Sequence, residues 1–225
     1  MNLFRDALII EAQRHGIAVM PEALETCLRH YALLLKWNPR VRLVGSVEPE
    51  RAAVELFADS LMAARFAASL VAEPTARIAV VDIGAGGGFP GIVVQVARPQ
   101  WRLTLIDSNA KKVSFLKTAI RELALTETVV TRGRAEELAQ MENFSQKFDF
   151  AFCRAVAPPE VALKLALPFL KAGGLFVAQT GAMEGETLSF GGKKDAVAVI
   201  EKTETYRLTG VATERKLIAI KKPQE

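Results

Sequence analysis

Residues 80–91 of this chain read VVDIGAGGGFPG, from Val80 to Gly91. The apolar run at the start predicts a short buried strand. Glycines directly after a strand allow positive φ and let a ligand approach the backbone closely, and Pro90 is suited to open the next helix. The stretch therefore predicts a strand–turn–helix unit that binds a ligand at the turn. A glycine-rich turn that binds nothing is the alternative.

Two registers fit these glycines. Gly86, Gly88 and Gly91 match G-x-G-x-x-G, the fingerprint of dinucleotide-binding proteins, but this match starts four residues beyond Asp82 at the strand end. The second register runs from Asp82 through Gly84, Gly86 and Gly88, and it starts directly at the strand end. This second register resembles the first motif of class I methyltransferases.

The charge of the ligand separates the two registers. A dinucleotide presents a pyrophosphate to the helix N-terminus, where N–H groups and the helix dipole stabilise it, and an acidic residue beside it would be unfavourable. The methionine part of S-adenosylmethionine carries an ammonium and a sulfonium, which Asp82 would stabilise. We therefore predict that S-adenosylmethionine is the cofactor, bound by Asp82, Gly84, Ala85 and Gly86.

A second acidic residue ends the next predicted strand. Asp107 follows the apolar run 103–106 and lies 25 residues after Asp82, where a carboxylate can accept hydrogen bonds from both hydroxyls of a ribose. We assign Ser108 to the same site. Asp107 could equally cap the helix predicted from about 110 to 123. Dehydrogenases also place an acidic residue here, so Asp107 supports nucleoside binding rather than methyl transfer specifically.

Charged residues also follow the next two predicted strands. The run 132–137 comes after Val129-Val130, in the turn that flanks the adenine in the class I methyltransferase fold. A run of solvated charges that opens a helix is an equal alternative. Cys153 and Arg154 follow the strand predicted over 148–152. Cys153 lacks the preceding proline of a Pro-Cys nucleophile, which predicts a packed thiol. Arg154 is predicted to face the cofactor cleft.

From Arg77 onward, short apolar runs alternate with helical stretches, which predicts βαβ units and a mostly parallel sheet. A strand at 175–178 follows a helix over 160–170, and the segments 196–208 and 211–221 predict an antiparallel hairpin at the sheet edge. A mobile loop is expected at 181–194. The predicted fold class is therefore α/β, with a Rossmann-like class I methyltransferase sheet, mostly parallel, that ends in an antiparallel C-terminal hairpin.

The first 75 residues are predicted to form an N-terminal helical extension. One amphipathic helix starts at Pro21 and is expected to end at Asn38-Pro39, and a second runs over about 49–68. Residues 76–225 are then the S-adenosylmethionine-binding domain, and we expect the two parts to form one compact unit.

Composition limits the function classes. The chain has 225 residues, half of them apolar, and two cysteines, so it can bury a core without disulfides and shows no metal-ligand spacing. No signal peptide or run of about 18 apolar residues is evident, so we expect a cytoplasmic monomer that binds neither membrane nor metal. Residues 1–75 hold eight basic and nine acidic residues, so the basic excess of the net charge +4 lies in 76–225. This excess favours a nucleic-acid partner, although it is also ordinary for a soluble enzyme.

The chain resembles the bacterial 16S ribosomal RNA guanine-N7 methyltransferase family, once called glucose-inhibited division protein B. The resemblance covers nearly the whole chain. The matching stretches are Leu33–Asn38, Asp59-Ser60-Leu61, Asp82–Gly91, Leu105–Ser108, Lys111-Lys112, Phe115-Leu116, Arg134–Glu137, Arg154-Ala155 and Glu214–Leu217.

The resemblance implies transfer of a methyl group from S-adenosylmethionine to guanine N7 of ribosomal RNA. It places Gly84, Phe89, Ala135, Glu136 and Arg154 at cofactor-binding positions. The basic residues expected to contact RNA of the small ribosomal subunit are Arg134, Arg154, Lys111 and Lys112. Guanine N7 offers an exposed lone pair, so no catalytic base is expected, and alignment and electrostatics would carry the reaction.

Five positions depart from the family pattern. Arg42 and Val44 stand where the family usually has Asn and Thr, Glu55 and Leu56 where it has Arg and His, and Thr180 where it has Lys. Loss of cations should weaken phosphate contacts. We therefore predict a divergent member that keeps cofactor binding and has altered or lost recognition of ribosomal RNA. The alternatives are a methyltransferase for another RNA or a small molecule, a cofactor-binding or RNA-binding module without turnover, and a nicotinamide oxidoreductase.

Overall fold

The computed structural model describes residues 1–73, 75–154, 158–181 and 199–224. Its strands are β1 (Ala79–Ile83), β2 (Arg102–Asp107), β3 (Thr128–Arg132), β4 (Phe148–Cys153), β5 (Leu170–Gly181), β6 (Val199–Tyr206) and β7 (Arg215–Lys221). They form one sheet in the order β3-β2-β1-β4-β5-β7-β6. The strands β1 to β5 are parallel, and β7 is antiparallel to both β5 and β6. The predicted fold class and the C-terminal hairpin are confirmed.

The helices are α1 (Asn2–Arg14), α2 (Pro21–Val41), α3 (Pro49–Ala52), α4 (Asp59–Ala68), α5 (Gly91–Ala97), α6 (Ala110–Glu122), α7 (Ala135–Leu138) and α8 (Pro159–Ala166). A π-helical segment, Ala53–Ala58, joins α3 to α4. The predicted helix over 49–68 is therefore confirmed, with a π-helical turn in its middle that the periodicity did not indicate. Such turns are frequent at functional sites.

Two helix ends were predicted wrongly. The helix α2 passes through Pro39 and ends at Val41, and Arg42 caps it in the left-handed conformation with φ 50°. A proline this close to a helix end removes only one backbone hydrogen bond, so the last turn tolerates it. The helix predicted over 160–170 ends at Ala166, and a 3₁₀ turn containing Pro168 leads directly into β5. Of the loop predicted at 181–194, all but Gly181, the last residue of β5, lies outside the described residues.

The N-terminal helices pack on the same face of the sheet as α5 and α6. Their buried side chains share one apolar core with strand residues of that face, such as Val80, Leu105 and Phe152. The opposite face packs on α8 in a second cluster that includes Val81, Ile83 and Ile106. Alternate residues of β1 and β2 thus serve different faces, as the period of a strand requires. His30 of α2 contacts Gly87, and Glu55 of the π-helical segment contacts Arg154, so these helices reach the carboxyl ends of β1 and β4.

The helix α1 is tied to the connection between β6 and β7. The Glu11 side chain, nearly fully buried, accepts hydrogen bonds from the backbone N–H of Thr209 at 3.0 Å and from its hydroxyl at 2.5 Å. Burial raises the pKa of Glu11, but the Thr209 hydrogen bonds, with contributions from His15 and Arg14, lower it below its ordinary value overall. The N-terminal helices are thus fastened to the C-terminal hairpin as well as to the sheet. Within the described part of the chain, no helix is both long enough and apolar enough to span a membrane.

Candidate functional site

The loop after β1 has a backbone that glycine alone adopts readily. Gly84, Gly86 and Gly88 have φ of 72°, 55° and 87°, values that other residues rarely adopt. The N–H groups of Gly84 and Ala85 donate to the Ile106 carbonyl at 2.8 and 3.0 Å, which holds the loop against the end of β2. The predicted strand–turn–helix unit is therefore present, and the fold needs its glycines.

Asp82 lies beneath this loop rather than on its surface. Its side chain is fully buried, and Oδ2 accepts a hydrogen bond from the Gly91 N–H at 2.8 Å. Its other oxygen, Oδ1, has no hydrogen-bond partner among the described residues. Burial raises the pKa of Asp82 to about 7, against the opposing effects of the Gly91 N–H and the Arg154 charge, while the charge of Asp107 adds to the rise.

Asp107 organises the same end of the sheet from β2. Its Oδ2 accepts a hydrogen bond from the Gly86 N–H at 3.0 Å, and its Oδ1 accepts one from the Asn109 N–H at 2.8 Å. The N-cap of α6 is Asn109, whose Oδ1 accepts from the N–H groups of Lys111 and Lys112. The alternative that Asp107 caps this helix is therefore wrong. Its carboxylate links the glycine loop to the start of α6.

A cavity of about 570 Å³ opens where these strands end. This volume suits a nucleoside-sized ligand. The residues that line it are Leu43, Val44, Gly45, Leu56, Ile83, Gly84, Ala85, Gly86, Gly87, Phe89, Ile106, Asp107, Ser108, Lys112, Gly133, Arg134, Ala135, Glu136, Arg154 and Leu165. The structure thus brings together all the site residues predicted from the sequence except Asp82, which is buried below the loop, and Lys111.

One wall of the cavity was not predicted. It consists of Leu43, Val44 and Gly45, after α2, and Leu56 in the π-helical segment. Val44 and Leu56 were noted only as departures from the family pattern, and only the packing of the N-terminal helices on the sheet brings these residues to the site. The lining residues Ile83 and Ile106, by contrast, are the apolar residues beside the predicted loop and Asp107, so their position in the sequence could have indicated them.

His30 connects α2 to the glycine loop and was also missed. Its Nε2 lies 2.9 Å from the Gly87 carbonyl oxygen, and its ring stacks on Phe89 with centroids 5.0 Å apart. Because a carbonyl only accepts, Nε2 carries the proton. Burial lowers the pKa of His30 to about 4, although the bond to Gly87 opposes this shift. A neutral histidine therefore supports the loop from behind.

The ends of β3 and β4 supply further charged residues of the cavity. Arg134 and Glu136 are largely exposed and lie 3.8 Å apart, from Nε to Oε2, at the short helix α7. Arg154 is mostly buried, and its Nη2 lies 3.1 Å from Oδ2 of Asp59. Burial, with the nearby Asp82 charge, raises the pKa of the Cys153 thiol to about 12, which agrees with a packed thiol and not with a nucleophile. Among the described residues, no cluster of three or more His, Cys, Asp and Glu side chains is arranged to hold a metal ion.

This strand order, with a glycine loop after β1 and an acidic residue at the end of β2, defines a Rossmann-like methyltransferase fold. Solved structures share it at low identity, which shows the fold alone. TYW2 of M. jannaschii, solved in complex with AdoMet, has a TM-score of 0.54 and 14% identity over 74% of this chain and 77% of that one. The [4+2]-cyclase SpnF has a TM-score of 0.57 and 14% identity over 88% of this chain and 95% of that one.

Sequence comparison identifies the family. Residues 23–218 match the GidB family, rRNA small subunit methyltransferase G. The chain is 38% identical to the ribosomal RNA small subunit methyltransferase G of Caldanaerobacter subterraneus subsp. tengcongensis, over 78% of this chain and 72% of that protein. Identity to the protein of the same name from Alkaliphilus metalliredigens is 36%, over 84% of this chain and 76% of that protein. The chain belongs to the rRNA small subunit methyltransferase G family.

Proposed function

We propose that this chain transfers a methyl group from S-adenosylmethionine to guanine N7 in the RNA of the small ribosomal subunit. The observation that carries the proposal is the cavity at the ends of β1 to β4, in a chain whose family members are named ribosomal RNA methyltransferases. In this proposal Asp107 and Ser108 bind the ribose, Ala135 and Glu136 lie beside the adenine, and the glycine loop and Phe89 contact the methionine part.

Two buried side chains of opposite charge support the fit of this cofactor. Oδ1 of Asp82 and Nη1 of Arg154 both lack a hydrogen-bond partner within the described ranges. The methionine part of S-adenosylmethionine carries ammonium, sulfonium and carboxylate groups, which match one anion and one cation. Asp82 lies beneath the loop, so we propose that it acts on the cofactor through its charge and through Gly91 rather than by lining the cavity.

Methyl transfer to guanine N7 requires little of the protein beyond binding and orienting the cofactor and the base. S-adenosylmethionine, when bound, supplies a methyl group activated by the adjacent sulfonium. Guanine N7 would attack the methyl carbon with its own lone pair while the bond from that carbon to sulfur breaks and S-adenosylhomocysteine leaves, so no residue would have to remove a proton. The positive charge would move from sulfur to the purine, and the buried carboxyl group of Asp82, beneath the glycine loop, would stabilise it through its charge. The target base must be in a loop or turned out of its stack to reach the cavity.

The first test is transfer of labelled methyl from S-adenosylmethionine to small ribosomal subunits purified from cells that lack the family enzyme. We expect label in the RNA, and at least about tenfold less with Asp107→Ala, because the loop loses its Gly86 anchor and misplaced reacting groups lower the rate. The matched control is Asp149→Ala. Asp149 also accepts a backbone N–H, that of Ala79 at 2.8 Å, but at the opposite end of β1, so labelling should persist.

Other results would favour the other functions. Labelling that survives ribonuclease and changes little with salt would indicate a small-molecule substrate. Measurable S-adenosylhomocysteine binding without label would indicate a module without turnover. Binding of NAD in preference to S-adenosylhomocysteine would overturn the methyltransferase proposal itself.

The five departures from the family pattern divide into two groups. Val44 and Leu56 line the cavity, whereas Arg42 caps α2, Glu55 pairs with Arg51 on the surface, and Thr180 lies on β5 opposite Lys216. If substrate recognition has diverged, we propose that Val44 and Leu56 are responsible, since both replace polar residues of the family with apolar ones. Mapping the label to a nucleotide tests this idea as well: methylation at the usual guanine would overturn it.

Replacing Arg134 with alanine is expected to lower the salt dependence of RNA binding. Arg134 lines the cavity and is largely exposed, so we propose that it contacts an RNA phosphate. Loss of one such contact should reduce the slope of log K against log salt by about 0.7 to 0.9. Lys171→Ala is the control, because Lys171 pairs with Asp149 at the far end of the sheet. An unchanged slope for Arg134→Ala, measured from 50 to 200 mM KCl, would exclude this contact.

We also propose where the protein acts and in which oligomeric state. A chain that modifies ribosomal RNA works where ribosomal subunits are assembled, which supports a cytoplasmic location. We propose that it acts as a monomer, and size-exclusion chromatography at assay concentration checks this.

A further inference from the structure

Arg154 reaches the cavity from the end of β4 as a partly satisfied buried cation. Its side chain is 16% exposed and lines the cavity. One guanidinium nitrogen, Nη1, is buried and has no hydrogen-bond partner among the residues described. A buried cation needs compensation, so the groups that hold Nη2 decide where the guanidinium lies in the cavity wall.

Those groups belong to the N-terminal helices. Nη2 of Arg154 donates to the Glu55 carbonyl oxygen at 2.6 Å and lies 3.1 Å from Oδ2 of Asp59. Glu55 lies in the π-helical segment and Asp59 is the first residue of α4. The π-helical segment thus presents a backbone carbonyl, and the start of α4 a carboxylate, to the same nitrogen.

Asp59 is itself held by the C-terminal strands. Its side chain is 2% exposed, and Oδ1 accepts a hydrogen bond of 2.5 Å from the hydroxyl of Tyr206, at the end of β6. The Asp59 carbonyl also accepts from Nε2 of Gln179 on β5 at 3.0 Å. Burial and the Asp59 charge raise the pKa of Tyr206, so the phenol stays protonated and donates. One carboxylate oxygen therefore holds Arg154 while the other is fixed by Tyr206.

We infer that Asp59 and Tyr206 are positioning residues that hold the Arg154 guanidinium in the cavity wall, where its exposed part faces an acceptor on the cofactor. This inference rests on the proposed function. The acceptor that fits a guanidinium at this wall is the carboxylate of the methionine part, since charged N–H···O⁻ bonds are the strong ones. Affinity for that end of the cofactor is then set by residues from three separate parts of the chain.

The test compares two ligands on one variant. Tyr206→Phe removes only the hydroxyl, and calorimetry gives the Kd of S-adenosylhomocysteine and of 5′-methylthioadenosine, which lacks the amino acid end. We expect S-adenosylhomocysteine to bind about three- to tenfold more weakly and 5′-methylthioadenosine to bind as before. Asp59→Asn, which keeps the shape and removes the charge, should show the same selectivity with a larger loss, and it supplies the test should Tyr206→Phe not fold.

Tyr31→Phe is the matched control. Tyr31 is the other tyrosine of the chain, and its hydroxyl donates to the Val47 carbonyl at 2.8 Å without reaching Arg154. This variant should bind each ligand with the same Kd as the wild type. Equal losses for both ligands in Tyr206→Phe and Asp59→Asn, or no loss for either, would overturn the positioning role. A wild-type protein that binds neither ligand would instead overturn the proposed function.

Discussion

Gly91→Ala is expected to lower the rate of methyl transfer by at least about 100-fold. A Cβ at this position would lie 2.6 Å from Oδ2 of Asp82 and 2.6 Å from Cδ2 of Leu105. Both atoms belong to buried side chains of central strands, so neither can move away without displacing the sheet or the start of α5. Displacements of about 1 Å near reacting groups cost about 10²-fold in rate.

The same substitution should lower the free energy of unfolding by about 1–3 kcal/mol, as overpacking does. Denaturant titration therefore accompanies the assay, and the rate is compared under conditions where both proteins are folded. The matched control is Gly181→Ala, since an added Cβ there meets no atom of the described residues within 4 Å. Retention of more than a tenth of the activity by Gly91→Ala would mean that the loop adapts and that its geometry is not needed for catalysis.

The affinity for S-adenosylmethionine is expected to rise with pH toward about 7, by up to tenfold per pH unit. The buried carboxyl group of Asp82 has a pKa of about 7 in the protein alone, so at lower pH it is mostly protonated. A cationic ligand nearby favours the carboxylate and lowers its pKa in the complex. Binding then releases a proton between the two pKa values, and Kd falls as pH rises through that window. Above pH 7 the contribution of Asp82 is complete.

The comparison that isolates this group is wild type against Asp82→Asn, with Kd measured at pH 5.5, 6.5 and 7.5. Titration of the ligand's own amino group affects both proteins equally and cancels in the ratio. The variant keeps an oxygen that can accept from Gly91 but has no proton to release, so its curve should be flatter. Parallel curves for the two proteins would show that Asp82 acts on the cofactor only through the loop.

Much of the site could be predicted from the sequence, because its signals are local. The run 80–91 combines a buried strand, an acidic strand end and a glycine turn within twelve residues. Asp107 and the turn that contains Arg134 follow two further apolar runs. Parallel strands bring their carboxyl ends to one edge of the sheet, so residues that follow each run must lie close together. The ends of two helices were predicted wrongly, because the effect of Pro39 and of Pro168 on a helix depends on where in the helical turn each proline lies.

The sequence by itself determined the class of fold, the cofactor loop and the acidic residues beside it, since strand periodicity and glycine conformation act over a few residues. Only the tertiary structure decided what surrounds that loop: the apolar wall with Val44 and Leu56, the support by His30, and the contacts that link Arg154 to Asp59 and Asp59 to Tyr206. Asp59 and Tyr206 are 147 positions apart. Contacts between residues so far apart in sequence arise because helices bury their apolar faces on the sheet. The spacing of residues along the chain does not predict which polar side chains then come into contact.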